Sequence, residues 1–312
     1  MAGTANAEVV TYEGIGQYVM SDFETPDVAK LRAKQRAEKS AQEKAGIFVK
    51  SNTKVVNMKL ESEEIEVMTA GIMKVHSVTY DVQSDASGFI FTSKVLVDID
   101  TDEIDKWLEK SVVEKEQLIE QNKSLQKTLA EQEKQLAELK AKLEQVESSN
   151  TNPATAFINK MQLTSAFANS NNVFLSNEKL KAGMEAHSRG DLNGAVQLYT
   201  EAINLNPNNA AAYTWRGNAF GSLKNYQGAI SDLSRAIQLD NQNATAYVGL
   251  GIAYYSTGAV AKAFQALNFA IQLDANNGQA YRARAACFRY IDRNFEAEQD
   301  ELTANKLGYR IR

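Results

Sequence analysis

The sequence predicts three unlike parts in series: a small α+β domain, a coiled-coil helix, and an all-α solenoid of helical repeats. Three observations predict this order. β-Branched and aromatic residues alternate over 9–20 and again over 74–100, on either side of a long alanine-rich stretch. Leucines recur at 4-3 spacing over 104–146 with no glycine or proline between them. The twelve residues AINLNPNNAAAY at 202–213 return as AIQLDNQNATAY at 236–247 and as AIQLDANNGQAY at 270–281.

The first part is read as residues 8–102. EVVTYEGIGQYVM reads as a strand with a bulge at Gly14 and Gly16. Pro26 and Asp27 then mark a helix start. The helix that follows places Val28, Leu31, Ala37, Ala41 and Ala45 on one side and Lys, Arg, Gln and Glu on the other. NTKVVNMKLE reads as extended, and SEEIEVMTAGIM reads as a second helix whose acidic first turn suits the helix dipole. KVHSVTYDVQ and GFIFTSKVLVDID read as two strands joined by the loop SDASG. Helices layered on an antiparallel sheet bury these faces economically.

Residues 103–148 form the second part. The seam includes Leu118, Asn122, Leu125, Leu129, Leu136, Leu139, Leu143 and Val146. A leucine stripe this narrow needs a partner helix, which predicts a homo-oligomer, dimer or trimer. Asn122, at an a position, is placed to fix register. Ser, Asn and Pro153 then break the pattern, so 149–175 reads as a linker holding a short helix over 154–170 and a loop at NSNN.

From Ser176 a 34-residue period divides the chain into units starting at Ser176, Ala210, Ala244 and Gly278. Position 8 of the unit is Gly183, Gly217, Gly251 and Ala285, and position 24 is Tyr199, Leu233, Leu267 and Glu301. Small residues at fixed points let two helices cross closely, and bulky ones fill the space between units. This pattern resembles the tetratricopeptide repeat, with four units over 176–309, the last departing from it at Arg284 and Glu301 in the manner of a capping unit. YEGIGQYV, AGIFVKSNTKV, AGIMKVHSV and SKVLVDID, in that order, make the first part similar to the FlgT N-terminal domain and its LPP-type lipoprotein relatives. The coiled coil followed by repeats resembles the domain order of CpoB proteins.

Chemistry is thinly supplied. Two histidines, His76 and His187, and one cysteine, Cys287, leave little for metal binding or Cys/His nucleophilic catalysis, so no enzyme, cofactor or metal site is expected. GIGQ at 14–17 lacks the context of a phosphate loop, and ESEEIE at 61–66 is the acidic turn of a helix. A net charge of −5 argues against nucleic acid as partner, and no apolar run is long enough for a membrane span.

Binding remains. The tetratricopeptide resemblance implies a groove lined by the first helix of each unit, here by Thr214, Asn218, Ser222, Val248, Ile252, Tyr255, Arg282, Arg289 and Tyr290, with Leu180, Met184 and His187 from the first unit. Arg282, Arg284, Arg289 and Arg293 favour an acidic or C-terminal carboxylate ligand. Ala5-Asn6-Ala7 has the small-x-small pattern of a signal-peptidase site, which makes residues 1–7 a signal-peptide remnant or an expression scar. The expected role is a non-enzymatic scaffold in the periplasm or envelope of a diderm bacterium, with a cytosolic adaptor, or a regulatory subunit of a cell-wall or flagellar assembly machine, as alternatives.

Overall fold

The computed structural model describes residues 9–20, 24–55, 65, 68–70, 72–85, 88–101, 103–104, 112–148 and 153–309. Side chains at 50–55, 85, 112–118, 121–122, 147–148 and 153–156 lie outside the description, and with them Leu118 and Asn122 of the seam. Ala5-Asn6-Ala7 and most of ESEEIE also lie outside it. The chain forms two compact units, residues 1–122 and 123–312.

In the first unit, β1 (Val9–Val19), β2 (Lys74–Asp85) and β3 (Gly88–Asp100) make an antiparallel sheet of order β1-β3-β2. Helix α1 (Pro26–Val55) lies across it. The face α1 buries is a row at four-residue spacing: Ala29, Ala33, Ala37, Ala41, Ala45 and Val49, all fully buried. Val28 and Leu31 sit at its flank, half-buried. Alanine is there because the sheet comes close. A Cβ on Gly14 would intrude on the Ala37 carbonyl oxygen and stand 2.7 Å from the Ala41 nitrogen, and one on Gly16 would meet Ala33 and Ala37 backbone. The two glycines are therefore seats for α1 and not a bulge: β1 runs in unbroken register with β3 from Val9↔Asp100 to Val19↔Ile90. Phe91, Val95, Val97 and Ile99 of β3 complete the core with Ile65, Met68 and Ile72. The segment 52–55, read as extended, is the end of α1, and 56–61 lies outside the described residues.

In the second unit, α2 (Val112–Ser148) enters from residue 123 onward and is followed by α3 (Pro153–Ser188). α3 is one helix of 36 residues. The expected linker over 149–175 is thus corrected from residue 153 on, and NSNN is helical. Local turn propensity loses here to burial, since Phe167, Phe174, Leu175 and Asn171 are all buried. Asn177 Nδ2 donates to Gln132 Oε1 at 3.1 Å, which ties α3 to α2. Leu129, Leu136 and Leu143 are 7%, 3% and 0% exposed, and Leu125, Leu139 and Val146 are half-buried. The described leucines are therefore already covered within one chain, which leaves little of their surface for the expected seam between copies.

The repeats follow as α4 (Leu192–Leu205), α5 (Ala210–Ser222), α6 (Tyr226–Leu239), α7 (Ala244–Ser256), α8 (Val260–Leu273), α9 (Gly278–Tyr290) and α10 (Asn294–Lys306), with the end of α3 as the first helix of the first pair. Within each of the first three pairs the position-8 glycine receives the position-24 side chain. A Cβ on Gly183 would stand 2.5 Å from Tyr199 Cε1, on Gly217 2.7 Å from Leu233 Cγ, and on Gly251 2.5 Å from Leu267 Cγ. Tight turns join the two helices. Position 15 holds Gly190, Lys224, Gly258 and Asp292, at φ 83°, 60°, 78° and 58°, all in the left-handed region. Asparagines start the next pair: Asn209, Asn243 and Asn277 accept from Ala212, Ala246 and Ala280 backbone nitrogens as N-caps.

Leu143→Ala should lower the stability of the full chain by about 2–5 kcal/mol in denaturant melts, the range for a fully buried leucine. Its mass by light scattering should equal the wild type's; a fall in mass would restore the seam between copies.

Candidate functional site

The groove-forming surface is set by which helices meet. Successive first helices, α5 on α7 and α7 on α9, pack on one another, whereas successive second helices scarcely meet. The array therefore curves with first helices on its inner wall. On that wall the residues expected to line a groove divide into three groups.

Position 5 is interior. Thr214 is buried, donates through Oγ1 to Ala210 O at 2.9 Å and accepts from Asn243 Nδ2 at 3.1 Å. Val248 is buried with Ala270 and Ala280, and Leu180 is buried in the first-pair core beside half-buried Met184. Each of these side chains lies under the start of the following pair, so they leave the candidate site. Arg282 occupies the same position in the last described pair and is exposed.

Positions 9, 12 and 13 form the open wall. Asn218 is half-buried over Gly249. Ser222 is exposed and donates to Asn218 O at 3.2 Å. Ile252 is 37% exposed, Tyr255 36% and Tyr290 64%. The Tyr255 and Tyr290 rings meet edge to face at 6.3 Å. At the first pair, half-buried His187 stands edge-on to Trp215 at 6.0 Å, and its Nδ1 is buried with no hydrogen-bond partner among the described residues. Burial pushes its pKa below the usual 6.5.

The arginines form the third group, and most are already occupied. Arg289 makes a two-oxygen contact with Glu301, at 2.5 and 2.6 Å. Arg293 pairs with Glu296. Arg284 pairs through Nε and Nη2 with both oxygens of Asp300 at 2.8 Å, and Nη1 donates to Asn268 Oδ1 at 2.7 Å. Three of the four cations expected to attract a carboxylate ligand are thus neutralised inside the chain. Cys287 is buried, and burial pushes its thiol pKa to about 11, so it is a core residue and not a nucleophile. Among the described residues no three of His, Cys, Asp and Glu converge as a metal would need, and no helix is long and apolar enough to cross a membrane.

Arg284 is not peculiar to the last unit. The same arrangement exists two repeats earlier, where Arg216 binds both oxygens of Asp232 at 2.6 and 2.9 Å and Thr200 Oγ1 at 3.1 Å. Each arginine also lies over two rings of its own helix, Tyr213 and Phe220 for Arg216, and Tyr281 and Phe288 for Arg284. These are positions 7 and 23. In the first and third units the same two positions are apolar with complementary sizes, Ala182 with Leu198 and Leu250 with Ala266. The pairing was written in the sequence as joint variation at a spacing of 16, but it shows only when both positions are read together.

With this geometry in place, the family can be stated. The model of the TPR repeat matches residues 183–224 and 217–258. The Arabidopsis OM64 TPR domain is 32% identical over 38% of this chain and 98% of its own, with a TM-score of 0.37. The array is one of tetratricopeptide repeats. A MamA crystal structure (24% identity, 47% of this chain, 92% of that one, TM-score 0.39) is also similar. So is the first TPR of Spaghetti (RPAP3) bound to the HSP90 peptide SRMEEVD, at 21% identity over 41% of this chain and 93% of that one, with a TM-score of 0.35. No curated protein matches the chain. The tetratricopeptide wall here offers Asn218, Ser222, Ile252, Tyr255, Tyr290 and Arg282.

Two outcomes follow for this region. Arg284→Ala should destabilise by about 3–5 kcal/mol because Asp300 is left buried and unpaired. Arg284→Leu with Asp300→Ala, which copies the Leu250–Ala266 pair, should recover to within about 1 kcal/mol of wild type in a double-mutant cycle. For His187, the unfolded chain takes up a proton that the folded chain resists. Its share of stability is complete above pH 6.5 and falls as the pH drops below it. The loss of Tm between pH 7.5 and 5.5 should therefore be smaller in His187→Phe than in wild type.

Proposed function

We propose that the protein is a non-enzymatic adaptor that holds a segment of a partner protein against the inner wall of its tetratricopeptide array. One observation carries this: the wall exposes Ile252, Tyr255 and Tyr290 side by side, while the small residues at positions 8, 20 and 27 are buried in all four described pairs and the bulky residue at position 24 in the first three. Aromatic side chains left open at the centre of a concave surface are the usual anchors of protein recognition. The nearby Asn218 and Ser222 supply donors and acceptors suited to a peptide backbone.

We further propose an envelope setting, with the first unit docking the adaptor to its site of action. Support comes from the Ala5-Asn6-Ala7 pattern, the likeness of 8–101 to FlgT N-terminal domains, and the CpoB-like order of parts. Oligomerisation through the leucine seam is left out of the proposal, because Leu129, Leu136 and Leu143 are already buried within one chain.

In-cell crosslinking with mass spectrometry tests the groove. Partner contacts should fall on α5, α7 and α9 and vanish with Ile252→Asp, a change at an exposed site that should leave the thermal melt unaltered. Contacts confined to α6, α8 and α10 would sink the proposal.

A further inference from the structure

The groove reading leaves open what chemistry the occupant has, and the charge pattern of the last two repeats narrows it. An acidic tail ending in its own carboxylate brings several negative charges close together and needs several free cations. Of the four arginines in this region, Arg284, Arg289 and Arg293 each hold a carboxylate of the chain, Asp300, Glu301 and Glu296. Arg282 has no such partner among the described residues and is exposed. The first pair carries Lys179, Lys181 and Arg189, whereas the last two repeats leave Arg282 as their one unpaired arginine among the described residues. A ligand matched to these two repeats therefore carries one carboxylate and not a cluster.

The apolar part lies elsewhere on the same helix. Tyr290 is eight residues beyond Arg282 on α9, so the two stand about 12 Å apart along the axis. Tyr255 closes the corner at Tyr290 from the neighbouring α7, with Ile252 one turn before it. An extended peptide rises about 3.3 Å per residue, so it covers 12 Å in three to four residues.

We propose that the third and fourth repeats bind an extended peptide with one acidic residue and, three or four positions away, one aromatic or large aliphatic residue. The acid pairs with Arg282, and the apolar side chain fills the corner between Tyr255 and Tyr290. This rests on the groove reading above.

The test is fluorescence anisotropy of the full chain with capped, labelled Gly/Ser peptides holding one Asp and one Phe at spacings of one, three, four and seven, alongside SRMEEVD. Spacings of three and four should bind about tenfold tighter than the others and than SRMEEVD, a difference worth one well-made contact. Arg282→Ala should erase the preference for Asp over Asn, and Tyr290→Ala the preference for Phe over Ala; both sites are exposed, and circular dichroism would verify their fold. Tighter binding of SRMEEVD, or binding without spacing preference that Ile252→Asp abolishes, overturns this inference and leaves the groove standing. Binding that Ile252→Asp does not touch, or no binding by any probe, overturns both.

Discussion

Everything in the repeat array depends on how closely two helices of a pair can approach. That distance is set by one contact, a glycine at position 8 under a bulky side chain at position 24. With Gly217 beneath Leu233 and Gly251 beneath Leu267, the second helix drops into the first, and Ala229, Ala236, Ala263 and Ala270 become fully buried along the same interface. A Cβ at either glycine would have to push back a side chain that is itself fully enclosed, so the interface has no slack to absorb it. The first unit solves the same problem with other parts. Gly14 and Gly16 let an alanine row settle on the sheet. Close approach by small residues is what both units have in common, and it explains why alanine and glycine, and not leucine, dominate the buried faces.

That constraint decides where recognition can happen. Once positions 8, 20, 24 and 27 are consumed by pairing and position 5 by stacking on the next pair, positions 9, 12 and 13 of the first helices remain open, together with Arg282 at position 5 of the last pair. Positions 9 and 12 differ from unit to unit, with Met184, Asn218, Ile252 and Ala286 at 9 and His187, Gly221, Tyr255 and Arg289 at 12, whereas position 13 is serine in the first three units and Tyr290 in the last. The scaffold is repetitive because its interfaces are, and the open wall varies because nothing in the scaffold restrains it.

Much of the fold was legible in the residues. The 34-residue period located the helix pairs, and alternation located the strands, because both patterns report burial directly. What was not legible concerned partners. The leucine stripe announced that something would cover it without saying whether a copy or a neighbouring helix would. Phe167 and Phe174 hid in a stretch whose NSNN read as a turn, although their burial outweighs four weak helix formers. Glycines 14 and 16 read as a bulge since a sequence shows a missing side chain but not what takes its place. At the candidate site, the tetratricopeptide resemblance implied Ile252, Tyr255 and Tyr290, which are exposed, and equally Thr214 and Val248, which are interior. The arginines misled, since a cation in a sequence does not show the carboxylate already bound to it.

The alternation at positions 7 and 23 has a consequence for assembly of the array. Units two and four join through an arginine and an aspartate, units one and three through an alanine and a leucine. Were the chain to pair a first helix with the second helix of the following unit, Arg216 would face Ala266 and Leu250 would face Asp300. Each such mismatch strands a charge away from water at a cost of about 3–5 kcal/mol. Near-identical modules are prone to slipping by one module or trading pieces with a neighbouring molecule, and here every odd-numbered slip is penalised. The four salt-bridging residues act as a parity check on a sequence that otherwise spells almost the same word each time.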